Sequence, residues 1–160
     1  MAVEKIYGVQ ECDASKDATH TTVRLIKNKL IPETYIMKIL VVDDETDIKA
    51  LFQLKFRKEI KSQELDFAFA FSGEEALNYL NNHVHEAVLI LSDINMPGMS
   101  GLELLKRIKK QFENPPPKVM MVTAYGDQEN YNSAMQNGAD DFLTKPLDFN
   151  LLKEKLKLIN

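Results

Sequence analysis

Apolar residues fall along this chain in two alternating rhythms. Short runs, Ile39-Leu-Val-Val42, Ala87-Val-Leu-Ile-Leu-Ser92, Val119-Met-Met-Val122 and the shorter Ala139 to Leu143, are separated by stretches with apolar residues at helical spacing. A fifth run, Leu65-Asp-Phe-Ala-Phe-Ala-Phe71, sets aromatics at every second position, as a strand does. Between the runs, Ile48, Leu51, Phe52, Lys55 and Phe56 share one helical face. Ser72-Gly-Glu-Glu75 and Ser100-Gly-Leu-Glu103 are capping boxes that open helices carrying Ala76, Leu77 and Leu80, and Leu102, Leu105 and Ile108. Asp127 to Asn137 reads as a helix stopped by Gly138, and Asp148 caps a last helix with Leu152, Leu156 and Ile159 inward. Pro115-Pro-Pro117 cannot continue a helix and delivers the chain into a strand. Five strands alternating with five helices predict βαβ units and an α/β fold with a mainly parallel sheet from about Lys38 to Asn160. The continuous run Ala87 to Ser92 predicts a central strand buried on both faces.

Residues 1–37 fall outside this alternation and form an N-terminal extension. Val23, Ile26 and Leu30 stand at helical spacing within Thr19 to Leu30, ahead of Pro32, which predicts a short amphipathic helix or a linker.

Four of these runs end on polar residues. Asp43 and Asp44 close Ile39-Leu-Val-Val42, Asp93 closes Ala87 to Ser92, Thr123 closes Val119-Met-Met-Val122, and Lys145 follows Phe142-Leu-Thr144. In an open parallel sheet the carboxyl ends of the strands face one crevice, so these residues are expected to meet there. Taken singly, each has an ordinary structural explanation: an acidic pair complements a helix dipole, and a threonine caps a strand. Their joint placement brings three carboxylates, a hydroxyl and an ammonium to one pocket.

Composition narrows the chemistry. The chain has 160 residues, 44% hydrophobic and 28% charged, with a net charge of −4, so it lacks the basic balance of direct nucleic-acid binding. No apolar stretch approaches the roughly 20 residues needed to span a bilayer, and Met1-Ala-Val-Glu-Lys-Ile-Tyr lacks a secretory core. A cytoplasmic protein is the economical expectation. Cys12 is the single cysteine and cannot make an intrachain disulfide, while His83 and His85 read as an exposed loop pair rather than a metal site.

Three carboxylates forced together repel, and a hard divalent cation relieves them. Mg²⁺ suits the set because it accepts one or two carboxylates, keeps waters and shares phosphate oxygens. A carboxylate at Asp93 can act as a nucleophile towards phosphorus, with the Lys145 ammonium and the cation neutralising the incoming charge.

The segments Lys38-Ile-Leu-Val-Val-Asp-Asp-Glu45, Leu91-Ser-Asp-Ile-Asn-Met-Pro-Gly-Met-Ser-Gly-Leu-Glu103, Val122-Thr-Ala124 and Asn137-Gly-Ala-Asp-Asp-Phe-Leu-Thr-Lys-Pro146 resemble the receiver domain of two-component response regulators. The resemblance runs from about residue 38 to 160, in order. It implies a flavodoxin-like, doubly wound sheet of five parallel strands in the order 2-1-3-4-5, with a cis bond before Pro146. It further implies that Asp93 is the phosphoacceptor and that Mg²⁺ is held by the side chains of Asp44 and Asp93, the backbone carbonyl of Asn95, and Asp43 through water. Thr123, with Ala124 beside it, matches the switch hydroxyl, Lys145 the phosphate-pairing lysine, and Phe142 the aromatic whose rotamer follows Thr123. Tyr125 falls where a side chain flanks the path of attacking water, so its ring is expected to prolong the aspartyl phosphate.

The implied partner is a sensor histidine kinase or phosphotransfer protein, and homodimerisation through the last two helices and the fifth strand is common in the family. By this reading the chain is a switch that catalyses only its own phosphotransfer and dephosphorylation. A phosphohydrolase of the haloacid dehalogenase type would need an acid two residues after the nucleophile, where Asn95 stands. A flavodoxin-like cofactor binder would meet carboxylates where a flavin phosphate must sit. The output stays open between a single-domain regulator acting by protein contact and the N-terminal piece of a longer one.

Overall fold

The computed structural model describes residues 23–26, 29–32, 36–83, 89–112, 116–124 and 127–159. The chain divides into two compact units, Met1–Glu33 and Thr34–Asn160.

In the first unit, β1 (Val23–Ile26) and β2 (Lys29–Pro32) pair antiparallel, with Ile26 opposite Lys29 and Val23 opposite Pro32. Within the helix expected over Thr19 to Leu30, Val23–Ile26 and the start of Lys29–Pro32 are strand instead, and the rest of that expectation lies outside the described residues. The spacing of Val23, Ile26 and Leu30 suits a helix, but β-branched Val23, Ile26 and Ile31 lose side-chain freedom in one and pack well on a pleated surface. Val23-Arg24-Leu25 also alternates with the period of a strand.

The second unit holds β3 (Met37–Val42), α1 (Ile48–Lys55), α2 (Arg57–Lys61), β4 (Leu65–Ala70), α3 (Gly73–Asn82), β5 (Leu89–Asp93), α4 (Gly101–Gln111), β6 (Lys118–Ala124), α5 (Gln128–Gln136), β7 (Asp141–Lys145) and α6 (Phe149–Lys157). Its five strands are all parallel and lie in the order β4-β3-β5-β6-β7, which is 2-1-3-4-5 when counted within this unit. The Lys145–Pro146 bond is cis.

Successive strand residues point to opposite faces, and two cores follow. Ile39 and Val41 of β3 join Phe52, Phe56, Leu152 and Leu156 on the face covered by α1 and α6. Leu40 and Val42 join Ala76, Leu80, Leu104, Leu105 and Ile108 on the face covered by α3 and α4. The first face is unusually aromatic: Phe52 lies 5.6 Å from Phe56, 5.4 Å from Phe67 and 5.3 Å from Phe149 between ring centroids. Central β5 is buried along its whole length, as its apolar run requires.

Most caps act as expected. The side chains of Ser72, Ser100, Asp127 and Asp148 accept from the amides of Glu75, Glu103, Asn130 and Asn150, respectively. Gly138, at φ 86°, takes the left-handed turn that follows α5. The expected single helix after β3 is broken in two at Phe56, whose φ of −107° and ψ of 19° leave the helical range. Phe56 stays buried in the core, whereas Leu51 and Leu54 of α1 are 38% and 67% exposed.

Candidate functional site

β3 and β5 are adjacent and in register, with Val42 opposite Ser92, so the residues just beyond them lie side by side at the carboxyl edge of the sheet. Ligand oxygens of Asp43, Asp44 and Asp93 all lie within 4.8 Å of one another. Asp43 and Asp93 are each 5% exposed, whereas Asp44 faces solvent. Such a set of oxygen donors is able to hold a hard divalent cation.

Lys145 enters from the far end of β7. Its Nζ donates to Asp93 Oδ2 at 2.8 Å and to Asp43 Oδ2 at 3.4 Å, and lies 3.9 Å from Glu45 Oε1. The other oxygens of the two buried acids are held by backbone. The Glu45 amide donates to Asp43 Oδ1 at 2.9 Å, and the Asn95 amide to Asp93 Oδ1 at 3.4 Å. Asn95 itself is exposed in the loop after β5.

Burial pushes the Asp43 carboxyl above its ordinary range, with Asp93 adding to the effect, against the opposing pull of the Glu45 amide and the Lys145 ammonium. Burial also works against the Lys145 ammonium, but its contacts with Asp93 and Asp43 prevail and hold it above the ordinary lysine range. The folded chain therefore keeps a proton on Asp43 at pH values where the unfolded chain has lost it. Stability of the metal-free protein falls as pH rises through that window. Asp43→Asn is expected to melt a few degrees higher than wild type at neutral pH in the presence of a chelator. The gap should close as pH falls below about 4, where the unfolded carboxyl is also protonated. Melts of both chains across pH check this, and an Asn variant that melts lower at neutral pH would refute it.

Thr123, one residue before the end of β6, is 3% exposed, and its hydroxyl has no hydrogen-bond partner among the described residues. It sits in register with Thr144, while Ala124, exposed, is opposite Lys145. Phe142 is partly buried on β7, and the ring of Tyr131 meets it edge to face. Thr123, Ala124, Asp127, Gln128, Tyr131 and Phe142 border a groove of about 550 Å³ beside the acidic pocket. Tyr125 lies outside the described residues.

The structure thus brings Asp43, Asp44, Asp93 and Lys145 to one point, with Asn95 touching it by its amide and Thr123 and Phe142 on the neighbouring strands. Three participants escaped the sequence reading. Glu45 extends the acidic run to within reach of Lys145, and its place after Asp43-Asp44 was the available signal. Tyr131 is the one aromatic of α5, flanked by polar residues. Gly101 approaches the Asp93 backbone so closely that a Cβ there would stand 2.0 Å from the Asp93 carbonyl oxygen.

The larger unit is similar to known proteins. The family model described as the response regulator receiver domain matches residues 39–157. Response regulator RppA of Synechocystis sp. is 36% identical over 123 residues, which span 77% of this chain and 50% of that protein. Response regulator protein PilR of Pseudomonas aeruginosa is 37% identical over 117 residues, 73% of this chain and 24% of that protein. The chain therefore spans half or less of these relatives. Among solved structures, a receiver domain from Clostridium thermocellum superposes with a TM-score of 0.67 at 27% identity, over 78% of this chain and 94% of that one. The receiver domain of NtrX from Brucella abortus does so with a TM-score of 0.63 at 32% identity, over 76% and 96%.

Proposed function

The chain belongs to the response regulator receiver family of two-component signalling, and from that membership we propose that it is a switch set by a phosphoryl group on Asp93. The observation that carries this reading is the placement of Lys145 Nζ, 2.8 Å from Asp93 Oδ2, with Asp43 and Asp44 beside it. An ammonium in that position offsets the charge of an incoming phosphoryl group without blocking the carboxylate.

The donor is a phosphohistidine on a sensor histidine kinase or phosphotransfer protein. A carboxylate oxygen of Asp93 attacks phosphorus and the P–N bond breaks. Its electron pair stays on the imidazole, which leaves neutral once its other nitrogen is protonated. Lys145 holds the acceptor carboxylate in place and then faces the new dianion. The Asn95 amide steadies the other carboxylate oxygen. Asp43, Asp44, Asp93 and Asn95 would hold Mg²⁺, which when bound would supply the positive charge that lets an anionic donor approach three carboxylates. Thr123 offers its unpartnered hydroxyl to a phosphoryl oxygen, and Phe142 follows the movement of that loop. The altered face then acts on a partner or an output domain.

Incubating the whole chain with phosphoramidate tests the reading. Intact mass should show one added phosphoryl group that requires Mg²⁺ and is released by hydroxylamine, as an acyl phosphate is. No incorporation, or incorporation resistant to hydroxylamine, would overturn it.

A further inference from the structure

Helix α5 is thinly held. Ala134 is its one fully buried residue among those described, and Met135 is 43% exposed. The other side chains around it, Gln128, Asn130, Asn132 and Ser133, are polar. Against this background Tyr131 stands out. Its ring centroid lies 4.0 Å from that of Phe142, with the planes at 68°, and both residues border the groove that reaches Thr123.

We propose that Tyr131 is a positioning residue: its edge-to-face contact ties the rotamer of Phe142 to the placement of α5 and holds both in the arrangement seen here. This rests on the switch reading and names a residue through which the switch acts on its surface helix. If Thr123 is drawn towards a phosphoryl group, Phe142 can leave its place only by breaking the contact with Tyr131. The pair therefore stabilises the unphosphorylated arrangement. Removing it shifts the balance towards the phosphoryl-ready arrangement, and capture of the group speeds up accordingly. An aromatic pair of this geometry corresponds to about a 2- to 10-fold change in such an equilibrium.

The test uses the full chain with phosphoramidate and Mg²⁺. Tyr131→Ala and Tyr131→Leu should incorporate phosphate about 2- to 10-fold faster than wild type, the leucine variant guarding against loss of helix packing. Tyr131→Phe, which keeps the ring, should restore the wild-type rate. In the unphosphorylated Ala and Leu variants, the Phe142 ring resonances should move part of the way towards their positions in wild type saturated with beryllofluoride. Rates at or below wild type in both variants, with Phe142 resonances unmoved, would overturn this inference alone, provided wild type incorporates phosphate. No incorporation by wild type would remove the switch reading and this inference together.

Discussion

Asp93→Asn is expected to take up no phosphoryl group from phosphoramidate and Mg²⁺, under conditions that should label the wild-type chain to completion. The amide has nearly the shape of the carboxylate, so what changes is the charge. Asp93 presents an anionic oxygen at the carboxyl end of a fully buried strand, already paired to Lys145 at 2.8 Å. An amide oxygen is a far weaker nucleophile, and one fewer anionic ligand remains for a cation. The fold should survive, because Asp43 stays within 3.4 Å of Lys145 and the substitution removes one of three crowded carboxylates. Far-UV circular dichroism establishes that the variant is folded, and intact mass reads the label. Full labelling of the folded variant would refute Asp93 as the acceptor.

Gly101→Ala should damage both stability and phosphoryl uptake, although local rules point the other way. Gly101 opens α4, and alanine is favoured over glycine in a helix by up to about 1 kcal/mol. Here, though, an added Cβ meets backbone: the Asp93 carbonyl oxygen at 2.0 Å, its carbonyl carbon at 2.8 Å and Ile94 Cα at 2.9 Å. The Gly101 amide also donates to the Ile94 carbonyl at 2.9 Å, tying the start of α4 to the turn after β5. Relief requires either the helix or the acceptor strand to shift. Overpacking of this kind costs about 1–3 kcal/mol, enough to outweigh the gain in propensity. Uptake should fall at least about tenfold, since small displacements of a reacting group are costly. Urea denaturation and the labelling rate measure the two effects. An alanine variant as stable and as quickly labelled as wild type would show that α4 yields freely.

The elements of the larger unit were legible because their signals are local. Continuous apolar runs made β3, β5 and β6, alternating aromatics made β4, and Ser72, Ser100 and Asp148 marked helix starts that the structure retains. The acidic pocket was legible because parallel strands deliver their carboxyl ends to one edge, so Asp43, Asp44, Asp93 and Lys145 could be read from strand ends. What escaped depends on distances between elements. No glycine or proline marks the break at Phe56, whose ring lies among Phe52, Phe67 and Phe149. Gly101 looked like an unremarkable residue inside a capping box, and its need for a missing side chain lies in a strand eight residues earlier. Tyr131 had no partner in its own helix, and the ring it meets belongs to β7. In the short unit, the spacing of Val23, Ile26 and Leu30 fitted two periods, and backbone pairing chose the other one.

The strand order also divides the pocket by how freely its parts can vary. The carboxylates hang from β3 and β5, each flanked by strands on both sides and packed between two cores, where any change of volume disturbs the whole unit. Lys145 and Phe142 ride on β7, an outer strand, next to a helix that buries little. Apart from Lys145, which the pocket needs, the surface of β7 and α5 should therefore accept substitution more readily than the carboxylate-bearing middle of the sheet.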